Sequence, residues 1–440
     1  MRIGFVPIDN RPVCYTLPKL IAEIDSDIEL FMPERVLLGD LTNVADADAL
    51  LAWLEGLGEM DAFVISLDTI AYGGLISSRR SPDSFADILN RLERLKTILK
   101  GKKVYAFSSI MRISNNNINQ EEKPYWDKWG KKIFEYSWNF HKNGSAVSDV
   151  PTEILEDYLQ TRKRNFEINK IYLEWQKEGI FDTLIFSKDD CAEFGLNVQE
   201  ANCLKSLGGT VKTGADEIPL SLLARAIPGC VKIKPVFIED KQKFLISNYE
   251  DIPIEECVKN QIELAGCEIG DEVELYVNNF IDRQGEIVMK VPTQAFAREW
   301  QKPLKPYAVA DVRFANGSDN AFVNSLFEAG IDDKFLGYSA WNTSANTLGS
   351  LILALKLTVI AKNKGTFNEK AFNKLMLTRF LDDWAYQANV RQELATPDVT
   401  NLAKKMSQYE QFLLAKFAEN CTIDYKFPWK RLFEVEIEFI

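Results

Sequence analysis

The chain has 440 residues, 46% of them apolar, with a formal charge of −12, one histidine and seven cysteines. That length and apolar content can bury a large core, either as one barrel-sized domain with additions or as two to three smaller ones, while the negative balance leaves no basic footprint for nucleic acid or an anionic membrane. The single histidine, His141, read as a solvated loop residue, rules out an HExxH zinc helix and any His-rich metal site. Acid–base work then falls to carboxylate, tyrosine or lysine, and any metal would be a hard ion held by oxygen.

An odd number of cysteines without a CxxC pair fits reduced thiols. The first residues run straight into a strand pattern without the charged and apolar regions of a secretory leader. The longest apolar stretch, 351–361, is short for a bilayer and contains Lys356. The expectation from these features is a soluble cytoplasmic protein.

In chain order, residues 3–8 predict a strand that ends in Asp9-Asn10-Arg11-Pro12. A second strand, 62–67, leads to Asp68-Thr69, Tyr72-Gly73-Gly74 and Ser77-Ser78-Arg79-Arg80. Leu/Ile spacing predicts a helix over 84–99, after which strand 103–107 leads to Arg112. The long helix 152–177 carries the charges of a solvated face. Strand 184–187 then delivers Asp189-Asp190, and strand 210–213 ends in Gly214-Ala215-Asp216-Glu217.

Beyond a possible sub-boundary near 229–234, a second βα series follows: strand 235–238, helix 254–265, and strands 272–277, 307–312 and 335–339. These place Asp311, Asn316-Gly317 and Trp341-Asn342 at or after strand ends. Helices at 346–362, 369–385 and 401–419 and a strand-like 432–440 complete the chain. The domain expectation is an α/β region over 1–345 and a mainly helical C-terminal extension over 346–440. Nine strands alternating with helices predict parallel βα units, read first as a TIM-barrel-like fold, with two doubly wound sheets as the alternative.

Asp189 and Asp190 are the leading candidates for catalysis, because two adjacent carboxylates at the mouth of a buried strand suit glycoside hydrolysis. In the substrate-assisted variant one acid, here Asp189, orients the sugar's acetamido group, and the other, Asp190, serves as acid/base; the roles are interchangeable at this stage. Asp9, Arg11, Asp68, Tyr72, Arg112, Asp216, Glu217, Asp311, Asn316, Trp341 and Asn342 are the candidate substrate contacts, with Trp341 stacking on a sugar ring. Each also has a plainer reading, as a turn former or, for Trp341, as a core side chain. No cofactor and no metal are expected on this reading. The alternatives are a magnesium or manganese site built from Asp189, Asp190, Asp216 and Glu217, and a carbohydrate-binding protein without catalysis.

The segments GFVPIDNRPV (4–13), SLD (66–68), YGGLISSR (72–79), IMR (110–112), DYL (157–159) with Arg162, Arg164 and Asn165, Asp189-Asp190, GADE (214–217) and GYSAWNT (337–343) are together similar to the bacterial DUF4127 proteins. The resemblance spans nearly the whole chain and implies no particular chemistry. The Asp-Asp pair by itself resembles the paired acids of retaining β-N-acetylhexosaminidases.

Overall fold

The computed structural model describes residues 1–189, 192–417 and 419–440. The chain divides into two compact units. The first comprises Met1–Tyr15, Leu30–Leu222 and Tyr249–Asp251; the second comprises Thr16–Glu29, Leu223–Asn248 and Ile252–Ile440.

The first unit is built on β1 (Arg2–Val6), β2 (Glu29–Phe31), β3 (Ala62–Ser66), β4 (Val104–Ile110), β5 (Thr183–Lys188) and β6 (Thr210–Thr213), in the order β2-β1-β3-β4-β5-β6. β1, β3, β4, β5 and β6 pair in parallel. β1 and β3 are almost entirely apolar and buried, as strands covered by helices on both faces must be. One covering helix, Phe85–Leu99, buries Ile88, Leu92, Leu95 and Leu99, one stripe at helical spacing, and starts from a Ser84/Asp87 capping box. Each of these apolar side chains contributes about 1.5–3 kcal/mol by leaving water.

The second unit repeats the same winding. Its strands β7 (Lys232–Phe237), β8 (Glu268–Ile269), β9 (Val273–Asn278), β10 (Tyr307–Asp311) and β11 (Phe335–Ser339) form a parallel sheet in the order β11-β10-β9-β7-β8. Counted from β7, that is the order 2-1-3-4-5, the first sheet's order without its last strand. An antiparallel pair, β12 (Ile423–Lys426) and β13 (Glu436–Phe439), lies near the C-terminus.

The nine expected strands all form, but the TIM-barrel expectation is not met, because both sheets are open. The reason is topological. Two short strands that the apolar pattern does not announce, β2 and β8, lie outside β1 and β7, so the winding reverses at those strands and no last strand returns to the first. β1 is also shorter than expected, stopping before Pro7, whose nitrogen has no hydrogen for a ladder.

Helix Ser344–Lys364 is long and apolar enough to cross a membrane by length and composition, but 94% of its apolar window is buried inside the protein, the environment of a core helix. His141 is also corrected. It sits in the last turn of helix Trp126–Asn143, where its Nδ1 accepts the Gly195 N–H at 3.1 Å. The helix runs on through the polar end of this segment and closes on Gly144 in the left-handed region at φ 76°.

Candidate functional site

In a sheet wound 2-1-3-4-5-6, the helices on either side of the reversal diverge beyond the ends of β1 and β3 and leave a crevice there. Asp9 and Arg11 follow β1 into that position. Asp9 accepts the Arg11 backbone N–H at 3.0 Å and Arg11 Nε at 2.9 Å, a tight turn that aims the guanidinium. Arg11 then grips both oxygens of Asp216, from the loop after β6, at 3.1 and 2.5 Å. β6 lies four strands from β1 in the sheet, roughly 19 Å at the usual spacing, so the loops rather than the strands make this meeting. All three side chains are nearly inaccessible. The buried Cys14 thiol lies 3.7 Å from Arg11 Nη2 and 3.9 Å from Asp216. Nothing in the sequence pattern marks this cysteine.

Glu217, the neighbour of Asp216, has a different environment. Gly214 stands at φ 120°, and a Cβ there would fall 1.6 Å from Glu217 Oε1, so only glycine leaves room for the carboxyl to fold back onto the Ala215 N–H at 3.1 Å. Burial, aided by the charge of Asp216, pushes the Glu217 carboxyl up to about 8. Asp216 is thus ion-paired while the adjacent acid keeps its proton at neutral pH.

Asp68 and Tyr72 lie on the short helix Leu67–Tyr72 after β3, which ends at Gly73 in the left-handed region. Asp68 accepts the Ser109 N–H at 2.9 Å, and its other oxygen lies 3.0 Å from Ser108 Oγ. That hydroxyl is also 2.7 Å from Asn169 Oδ1, and one hydroxyl proton cannot serve two acceptors. A proton on Asp68 resolves the arrangement, in keeping with burial raising this carboxyl to about 6. The Tyr72 hydroxyl is buried with no hydrogen-bond partner among the described residues, and the Arg164 guanidinium lies 5.5 Å from its ring centre.

Both acids make stability fall as pH rises. Their carboxyls hold protons in the folded protein that the unfolded chain, titrating near 4, has already released. The stabilisation is complete below that value and is lost as pH climbs through about 6 for Asp68 and about 8 for Glu217. Urea unfolding at pH 5.5 and 8.5 should therefore show lower stability at the higher pH, by up to about 1.4 kcal/mol per pH unit for each group. Glu217→Gln should flatten the slope between pH 7 and 8.5, and an unchanged slope would contradict the assignment.

Arg112, after β4, lies 2.9 Å from Glu121, 3.3 Å from Glu122 and 3.6 Å from Asp189. Asp189 therefore follows β5 as expected, with its side chain 31% exposed. Asp190, the expected acid/base, lies outside the described residues.

The remaining candidates belong to the second unit. Asp311 ends β10 with its carboxylate enclosed by Asn278 Nδ2 at 2.8 Å, the Asp319 N–H at 2.7 Å and the Tyr338 hydroxyl at 3.1 Å. Burial, then the charge of Asp319, raises its proton affinity. Asn316 and Asn342 both adopt positive φ, and the Asn316 N–H donates to the Asn342 carbonyl at 2.8 Å, so they act as turn residues. Trp341 is buried with its ring edge-on to Phe433, the place of a core side chain rather than of an exposed stacking platform.

One acidic pair in this unit escapes the sequence reading. Asp382 and Asp383 lie on Phe380–Asn389, a ten-residue π-helix where a plain α-helix was expected. Asp383 accepts the Ala340 N–H at 2.6 Å and pairs with Arg379 at 3.4 Å, and burial raises both carboxyls. Arg379, Tyr338, Ser339 and Ser350 contribute to a small pocket in the same unit. The visible signal was two carboxylates inside an apolar helical run, LDDW.

Among the described residues, no three Asp, Glu, His or Cys side chains are gathered as a metal shell. The profile described as "Protein of unknown function (DUF4127)" matches residues 3–438. The chain belongs to the DUF4127 family. No curated protein matches it. In this DUF4127 chain the similar segments 4–13, 66–68, 72–79, 110–112 and 214–217 all lie at or just after the C-terminal ends of strands in the first sheet. Residues 337–343 run from the last part of β11 into the turn after it in the second unit.

Proposed function

We propose that this protein is a hydrolase of amino-sugar or related glycosides working at the C-terminal edge of its first sheet. The observation that carries this reading is the divided acid pair after β6, with Asp216 held by Arg11 beside a buried, protonated Glu217. Glycoside hydrolysis needs two carboxyl groups whose environments separate their proton affinities, one to protonate the leaving oxygen and one to act as an anion. Glu217 takes the role of general acid/base and Asp216 that of the anionic partner, with Asp9 and Arg11 positioning it. The proposed chemistry thus sits on Asp216 and Glu217, which the sequence offers as substrate contacts, rather than on Asp189 and Asp190. Asp189 stays in the site as a ligand contact. Because Glu217 is buried in the free protein, the loop carrying it has to yield as substrate enters.

The test is turnover of a panel of aryl glycosides, including β-N-acetylglucosaminide and β-N-acetylgalactosaminide, in the presence of chelator. Wild type should be indifferent to chelator, and its kcat/KM should fall as pH rises through about 8, where the general acid loses its proton. Glu217→Gln should lose roughly 100-fold or more in kcat, with Asp189→Asn and Asp190→Asn run alongside. No turnover on any glycoside, or full turnover by Glu217→Gln, would end this reading. Activity abolished by chelator would favour an oxygen-bound metal instead.

A further inference from the structure

In the same unit as the acid pair, the segments after β3 and β4 hold an arginine group that glycoside chemistry alone does not use. Arg79 is 2% exposed, and its Nη1 lies 2.5 Å from Glu122. Its Nη2 is buried with no hydrogen-bond partner among the described residues, and Glu121 Oε2 stands 4.0 Å from it, too far to accept its proton. A buried guanidinium N–H without an acceptor is costly, and that cost falls when an acceptor arrives. Glu121 is instead drawn toward Arg112, 2.9 Å away. One carboxylate is therefore spread across two arginines and satisfies only one of them.

We infer that Arg79 and Arg112 bind an oxyanion group of the ligand, a carboxylate, phosphate or sulfate, in the place that Glu121 holds in the free protein. Planar guanidinium forks match such groups bidentately, and a ligand oxyanion seated between them supplies the acceptor Arg79 Nη2 lacks. Exposure rises outward from Arg79 to Arg112 at 19% and Glu121 at 24%, so the stand-in carboxylate sits on the solvent side and can swing into water. Its release does not undo the loop. Arg80 holds that segment by its main chain, through the carbonyls of Glu122 at 3.1 Å, Asn119 at 3.4 Å and Gln120. Glu122, 4% exposed and shared by Arg79 and Arg112, and Asp189, 3.6 Å from Arg112, remain as counter-charges. The inference rests on the reading of this edge as a carbohydrate site and narrows the substrate to acidic sugars, either uronic acids or phosphorylated or sulfated sugars.

The test is isothermal titration calorimetry of the full-length protein with glucuronate, inorganic phosphate and sulfate, and with glucose as the neutral control. At least one anion should bind saturably and more tightly than glucose, and comparing glucuronate with the inorganic ions tells a carboxylate site from a phosphate or sulfate site. Glu121→Gln, which removes the competing charge, should tighten binding about fivefold. Arg112→Gln should weaken it tenfold or more, while Arg112→Lys, which keeps the charge and loses the fork, should recover only part. Circular dichroism checks that each variant is folded, and the Glu121→Gln gain stands as a test even if an arginine variant is not. Absence of anion binding in both wild type and Glu121→Gln, or unchanged affinity in a folded Arg112→Gln, would overturn the inference. Turnover plays no part in the measurement. Anion binding without hydrolysis of any glycoside would leave this site standing and remove the hydrolase reading, and hydrolysis without anion binding would do the reverse.

Discussion

Arg11→Met is expected to cost about 3–5 kcal/mol of stability, because it strands two buried carboxylates at once. Arg11 is the shared cation of Asp9 and Asp216, and all three side chains are under 10% exposed, so water cannot replace the lost partner. Methionine fills much of the volume, which makes the loss electrostatic rather than a cavity effect. Lowering the pH should return part of the deficit, since a stranded buried carboxyl escapes its penalty by taking up a proton. Arg11→Lys should recover little, because a single ammonium cannot grip both Asp216 oxygens and Asp9 with the same fork. Urea unfolding of the three proteins at pH 5.5 and 7.5 checks this. A deficit of about 1 kcal/mol or less in Arg11→Met would mean that the pair behaves like a solvated surface bridge.

Lys356→Met is the second large effect, with an expected loss of about 3 kcal/mol. Lys356 lies midway along the buried helix Ser344–Lys364, and its ammonium donates to the carbonyls of Ala224 at 2.7 Å, Ile227 at 3.0 Å and Ala265 at 3.2 Å. Ala224 and Ile227 close the helix Ile218–Ala226, and Ala265 closes the helix Ile254–Leu264. The last carbonyls of a helix have no partner within it and carry its partial negative charge, so one buried cation caps two helix ends. Burial lowers this lysine's proton affinity, and the three carbonyls supply what water no longer can. Methionine keeps the length and apolar stem and leaves all three carbonyls unpaired. Thermal and urea unfolding would both report the loss. A variant as stable as wild type would mean that an apolar side chain serves as well there, as happens at some buried ion pairs.

These two residues also separate what could be read along the chain from what could not. Arg11 follows a strand whose apolar run is plain, so its place at a strand end was legible. Its partner was not, because Asp216 lies 205 positions away and four strands across the sheet. Lys356 was legible only as the flaw in an apolar stretch; its three acceptors come from segments 91 to 132 positions away. Glu217 and Asp68 could be counted as strand-end acids, but their raised proton affinities arise from burial, which no local pattern encodes. Trp341 misled for the same reason, since an aromatic residue at a strand end has the same signature whether it faces a ligand or Phe433.

The sequence by itself determined the alternation of strands and helices, the nine longer strands, and the delivery of acids and arginines to their C-terminal ends, because hydrophobic periodicity and turn chemistry act over a few residues. Tertiary structure decided that the sheets stay open, since that depends on β2 and β8, strands of three and two residues too short to leave a pattern. It also decided which acid is paired with a cation and which keeps its proton, because Coulomb attraction and desolvation depend on distance and burial rather than on separation along the chain.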